Sequence, residues 1–119
     1  MATTSWRPAV EALLADLRTI VDTRLRSLIV YEAHGLVSPR TILAHCIHLS
    51  DDEWTRVHLG DVAVAHCPDS NFFLGSGCMP LRMALDRGVR IGLGTDVGAG
   101  RTFSVRRVAA AAYDAALVR

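Results

Sequence analysis

The sequence predicts an α/β fold with a parallel sheet, organised as part of a β/α barrel. Three short apolar runs, starting near residues 41, 62 and 89, alternate with segments patterned as helices. Strands and helices alternating in this way are joined as parallel neighbours by right-handed crossovers. The spacing of the three starts is close to the repeat of a β/α barrel. Each run also leads to a polar side chain, His45, His66 or Asp96, at the strand ends where such barrels gather their active-site groups.

Taken in order, the elements are these. From Pro8 to about Val30, the residues Val10, Leu13, Leu14, Leu17, Val21, Leu25 and Leu28 recur every three or four positions. That is one face of an amphipathic helix, with Pro8 tolerable in its first turn. Gly35 and Pro39 break the pattern and mark a loop. Thr41 to His45 reads as a short strand buried on both faces. Leu49-Ser-Asp-Asp-Glu-Trp54 is a complete helix start, with Ser50 and Glu53 forming a capping box and Leu49 and Trp54 a hydrophobic staple. Gly60 is placed to end that helix. The second run, Asp61 to His66, is followed by a turn-rich loop from Pro68 to Gly77 and a helix from Pro80 to Arg87, closed by Gly88. The third run, Val89 to Gly94, enters a glycine-containing loop from Thr95 to Arg101. Ser104 then stands ready to cap a last helix whose inner face is Val105, Val108, Ala109, Ala112 and Ala116.

Composition narrows the classes. At 119 residues, half hydrophobic and 21% charged, the chain is expected to be one globular domain with a real core. A formal charge of +1 gives no field for nucleic acid or an acidic membrane surface. All thirteen basic residues are Arg and none is Lys, so a phosphate-binding P-loop is excluded. The three cysteines are odd in number and contain no C-x-x-C pair, which argues against a disulfide framework or a zinc knuckle. No basic stretch followed by an apolar run opens the chain, and nothing approaches the roughly 18 continuous apolar residues of a membrane span. The expectation is a soluble cytoplasmic protein with reduced thiols.

Three residues carry candidate chemistry. Asp96 sits in a glycine-rich turn and reads either as a turn former or as a carboxylate on a pocket floor. In the second role it would bind a cation and take a proton from bound water. Gly94 and Gly98 around it suggest backbone that must approach something closely. His45 reads either as a hydrogen-bonded core histidine or as an imidazole that steers a hydroxide. His66, followed by Cys67-Pro68, reads as part of a structural turn. There is no complete dinucleotide fingerprint, no G-x-S-x-G elbow, and neither H-x-E nor P-C-x-x-C of the other zinc deaminase design.

Three strings together resemble the amidohydrolase superfamily: Thr41-Ile-Leu-Ala-His45-Cys46-Ile-His-Leu-Ser50, Val64-Ala-His66-Cys-Pro-Asp-Ser-Asn71 and Gly92-Leu-Gly94-Thr-Asp96-Val-Gly-Ala-Gly100. Within that superfamily, Phe73-Leu-Gly-Ser-Gly77 and the loop after Asp96, with Thr102-Phe-Ser104, resemble the guanine deaminase branch. The likeness runs from Tyr31 to the C-terminus. It implies the last three β/α units of a (β/α)8 TIM barrel over residues 31–119, with residues 1–30 as a helical segment of another kind. It implies a zinc ion as cofactor, a purine (guanine) as the small-molecule partner, and a place in purine catabolism. By position Asp96 would be a zinc ligand and proton acceptor, and His45 would orient the attacking hydroxide.

The same resemblance exposes what this sequence lacks. The family's H-x-H pair and T-H-x-x-E element, with the other zinc ligands and the proton-shuttling Glu, occur nowhere in it. A full barrel takes about 250 residues, and its strand number and tilt are linked. The chain alone is therefore expected to be a fragment without activity. Two alternatives stand beside that reading: an interaction remnant that packs on another chain (or a second copy) through open sheet edges, and an amidohydrolase of a neighbouring branch.

Overall fold

The computed structural model describes residues 27–118; of the helix expected from Pro8 to about Val30, residues 8–26 lie outside them. The chain divides into two compact units, Met1–Leu36 and Val37–Arg119. In the first, the described residues form helix α1, Ser27–Ala33. It closes through Gly35 in the left-handed region (φ 69°), with the Leu36 N–H donating to the Tyr31 carbonyl at 2.8 Å.

The second unit runs β1 (Ile42–Ala44), α2 (Asp51–Leu59), β2 (Ala63–His66), α3 (Pro68–Leu74), α4 (Leu81–Asp86), β3 (Arg90–Leu93) and α5 (Val105–Leu117). The strands form one parallel sheet in the order β1-β2-β3. Ile42 pairs with Ala63, and Ala63 with Arg90. The ladder continues past the strand ends, because the His45 N–H donates to the Ala65 carbonyl and the Gly94 N–H to that of His66. His45, His66 and the start of the Thr95–Asp96 turn thus leave the sheet at one end, where all three parallel strands finish.

Local chemistry explains most of these boundaries. The Ser50 hydroxyl accepts the Glu53 N–H while the Glu53 carboxylate accepts the Ser50 N–H at 2.8 Å, the reciprocal capping box. Gly60 ends that helix as anticipated. The core gathers around β2, where Val62, Val64 and His66 point to one face and are at most 1% exposed, the period of two that a strand imposes. Trp54 and Val57 of α2, Ala84 of α4 and Val108, Ala112 and Ala115 of α5 complete it. Helix α5 packs on α3 and β3.

The structure corrects the sequence reading at four places. Strand β1 is not buried on both faces, since Ile42 is 71% exposed; among the described residues β1 and β3 are edge strands with one neighbour each, and only β2 is paired on both sides. Residues 68–77 are not a plain loop. Pro68 supplies a first-turn residue with the φ a helix needs, and Gly75 closes the helix with φ 66°. Val108 and Ala112 of the expected α5 face are buried, but Ala115 completes the stripe, Ala116 is half-buried, and Val105 (53% exposed) and Ala109 face outward. Ser104 stands at the N-cap but makes no side-chain cap. Its N–H instead donates to the Thr102 hydroxyl at 3.0 Å.

Candidate active site

The backbone at the sheet mouth is built for sharp departures. His45 (φ 65°), Cys46 (φ 45°) and Asp96 (φ 49°) all occupy the left-handed region without being glycine. Each such position costs of order 1 kcal/mol or more, and such residues cluster where a side chain must be aimed. At His45 and Asp96 the turns bring the end of β1 and the end of β3 across the mouth towards each other. His45 Nε2 lies 3.7 Å from Asp96 Oδ2, and both side chains are about one third exposed.

Each of the two has a buried partner on α3. His45 Nδ1 lies 2.8 Å from Asn71 Oδ1, and the Ser70 hydroxyl donates to Asp96 Oδ2 at 2.6 Å. Ser70 and Asn71 are 1% and 2% exposed. The residue before them, Asp69, accepts the Arg101 backbone N–H at 3.0 Å and its guanidinium at 2.7 Å. The side-chain bond from Arg101 holds the Asp69 carboxyl below the usual carboxylate range, against an opposing push from burial. Arg101 also lies over the Phe73 ring, 5.8 Å from its centre.

The Asp96 turn depends on its glycines. A Cβ at Gly100 would lie 2.0 Å from the Thr95 carbonyl oxygen, and one at Gly94 would lie 2.9 Å from Cys67 Sγ. Gly98 has open space around it and is needed for its φ of 107° instead. The Ala99 and Gly100 N–H groups both fold back onto the Asp96 carbonyl.

His66 is 0% exposed, and neither ring nitrogen has a hydrogen-bond partner among the described residues. Burial, and secondarily the neighbouring His45, lowers its pKa below 6.5, so it is a neutral imidazole near pH 7. The thiols nearby are held towards the neutral form for a related reason. Burial pushes the Cys46 thiol up to about 11, and burial and then Asp96 raise that of Cys67.

The structure therefore brings together His45 and Asp96, residues 51 apart in sequence, and leaves His66 in the core. Ser70, which touches Asp96, and Asn71, which touches His45, had no role in the sequence reading. The signal for them lies in the H-C-P-x-S-N string, but the turn-rich composition of residues 68–77 masks the helix Pro68–Leu74 that carries the two side chains. A cleft of about 400 Å³, lined in part by Met79, Leu81, Met83 and Ala115, lies between α4 and α5 and contains neither His45 nor Asp96.

A catalytic zinc takes three protein ligands and keeps a fourth position open. No group of three or more His, Cys, Asp or Glu side chains among the described residues is arranged to hold a metal ion. Those residues do not by themselves fit a zinc ion. No helix among the described residues is long and apolar enough to cross a membrane.

Residues 15–117 match the amidohydrolase family, and the chain belongs to that family. Its relatives are more particular. Guanine deaminase of Escherichia coli strain K12 is 42% identical over 84 residues, which are 71% of this chain and 19% of the relative. The structure of guanine deaminase from C. acetobutylicum, solved with guanine in its active site, superposes with a TM-score of 0.77 at 36% identity, over 90% of this chain and 25% of that one. Atrazine chlorohydrolase TrzN from Arthrobacter aurescens TC1, solved with zinc, gives a TM-score of 0.57 at 34% identity over 60% of this chain and 16% of that one. The chain thus spans about a fifth of the length of the curated relatives it matches.

Proposed function

We propose that this chain supplies part of the active site of a guanine deaminase-type amidohydrolase, converting guanine and water to xanthine and ammonia in purine catabolism. The observation that carries the reading is the approach of His45 Nε2 to within 3.7 Å of Asp96 Oδ2 at the mouth of a parallel sheet, in a chain 42% identical to a guanine deaminase over 84 residues. Residues 31–119 are the C-terminal part of the barrel, its last three β/α units. In this role Asp96 takes a proton from the attacking water. His45 orients that water as it adds to the amino-bearing purine carbon, from which ammonia leaves. The Val97–Gly100 loop borders the purine.

Zinc is the cofactor expected of the complete site, with Asp96 as one ligand. Asp96 and His45 are two groups where three protein ligands are needed, and the sequence holds no H-x-H or T-H-x-x-E element. The polypeptide of these residues alone is therefore inactive. The experiment is direct: purify the 119-residue chain, measure bound zinc, and follow guanine by its absorbance. Substoichiometric zinc and no xanthine are expected. One zinc per chain with turnover of guanine overturns the claim of inactivity.

A further inference from the structure

We propose that α3 is a positioning element for this site, in which Asn71 fixes the tautomer of His45 and Ser70 fixes the carboxylate of Asp96. The inference rests on the reading of His45 and Asp96 as site residues. Three consecutive side chains of α3 each hold a different strand end or loop. Asp69 binds the backbone and side chain of Arg101, Ser70 binds Asp96, and Asn71 binds His45. Successive residues of a helix point about 100° apart, so one turn reaches three places. The helix that follows the central strand thereby clamps the ends of both outer strands.

The tautomer follows from the chemistry of the pair. An amide oxygen only accepts, so the 2.8 Å contact between His45 Nδ1 and Asn71 Oδ1 is a hydrogen bond only when Nδ1 carries the hydrogen. A neutral imidazole has one N–H. Nε2 is then left with its lone pair on the side that faces Asp96, 3.7 Å from Oδ2. A water held between these two atoms can donate to both, which sets its oxygen lone pair free for attack. The Ser70 hydroxyl donates to the same Oδ2 at 2.6 Å and restrains the carboxylate against rotation. Both α3 residues are at least 98% buried, so each reaches its partner from the protein side of the mouth.

Long-range ¹⁵N correlation spectra of the labelled 119-residue chain read the tautomer of each histidine, with His45 assigned by its loss in His45→Gln. The wild-type chain is expected to show His45 protonated on Nδ1. Asn71→Leu should move His45 predominantly to Nε2–H, and Asn71→Asp, which keeps an acceptor in place, should retain Nδ1–H. The Asp96 carboxyl ¹³C resonance should move in Ser70→Ala and return in Ser70→Thr. A wild-type His45 protonated on Nε2, or one with the averaged tautomers of the chain in urea, overturns the proposal. So does an Asn71→Leu chain that keeps the wild-type tautomer; should that variant fail to fold, loss of Nδ1–H in Asn71→Asp decides against it equally. None of these readouts depends on guanine turnover, so the proposal and the deaminase reading fail separately.

Discussion

Trp54→Ala is expected to remove a large part of the stability of the second unit. Trp54 is 0% exposed on α2, the helix that links β1 to β2 and so sets where His45 leaves the sheet. A buried tryptophan withdraws ~150–250 Å² from water, worth about 4–6 kcal/mol at ~25 cal/mol per Å². The Cβ that alanine keeps, and partial collapse of the cavity, bring the expected loss to ~3–5 kcal/mol. With a urea slope of about 2 kcal/mol/M for a small protein, the midpoint falls by about 2 M. Trp54→Phe discriminates between area and polarity. Its Nε1–H is buried without a partner among the described residues, and removing such a donor recovers ~1–3 kcal/mol, so phenylalanine should cost far less than alanine. Urea titrations followed by far-UV circular dichroism measure all three proteins. An unchanged midpoint in Trp54→Ala would refute the core assignment, and a phenylalanine variant as unstable as the alanine one would refute the role given to the indole N–H.

Acid should unfold the chain partly through Asp69. Its folded pKa is depressed below 3.8 by Arg101, so its contribution is fully present above 3.8 and is lost as pH falls through the folded value; Asp69→Asn should flatten that part of the stability profile in acid titrations at fixed denaturant. Thiol labelling at pH 8 should find Cys78, which is partly exposed, before Cys46, whose thiol is buried and raised to about 11; mass spectrometry of the first adduct reads the order. Gly100→Ala should destabilise the Asp96 turn by about 1–3 kcal/mol, since its Cβ would meet the Thr95 carbonyl oxygen at 2.0 Å. Gly92→Ala, with nothing within 4 Å of the new Cβ, should stay within about 0.5 kcal/mol on that ground.

The parts of the fold that were legible in the sequence are those that local chemistry decides. Ser50 and Glu53 cap α2 through bonds spanning three residues, and Gly60 and Gly88 stop chains whose neighbours are adjacent in sequence. The parallel order of the strands followed from their alternation with helices. Burial was less legible because it depends on which elements cover a face: Ile42 looks like a core residue and is 71% exposed, and the α5 stripe is set by contact with α3 and β3 rather than by periodicity alone. In the site, His45 and Asp96 stood out as polar ends of apolar runs. Ser70 and Asn71 did not, because their partners are 26 residues away in each case and a short helix opened by proline looks like a turn.

The central claim is that residues 37–118 carry the working His and Asp of a deaminase barrel. Grafting them in place of the matching segment of Escherichia coli guanine deaminase, and following guanine conversion to xanthine, tests it most directly. The graft should deaminate guanine, Asp96→Ala within it should be inactive, and the 119-residue chain alone should be inactive too. A folded, zinc-loaded graft without turnover, or one whose Asp96→Ala variant works at the unsubstituted rate, would contradict the assignment.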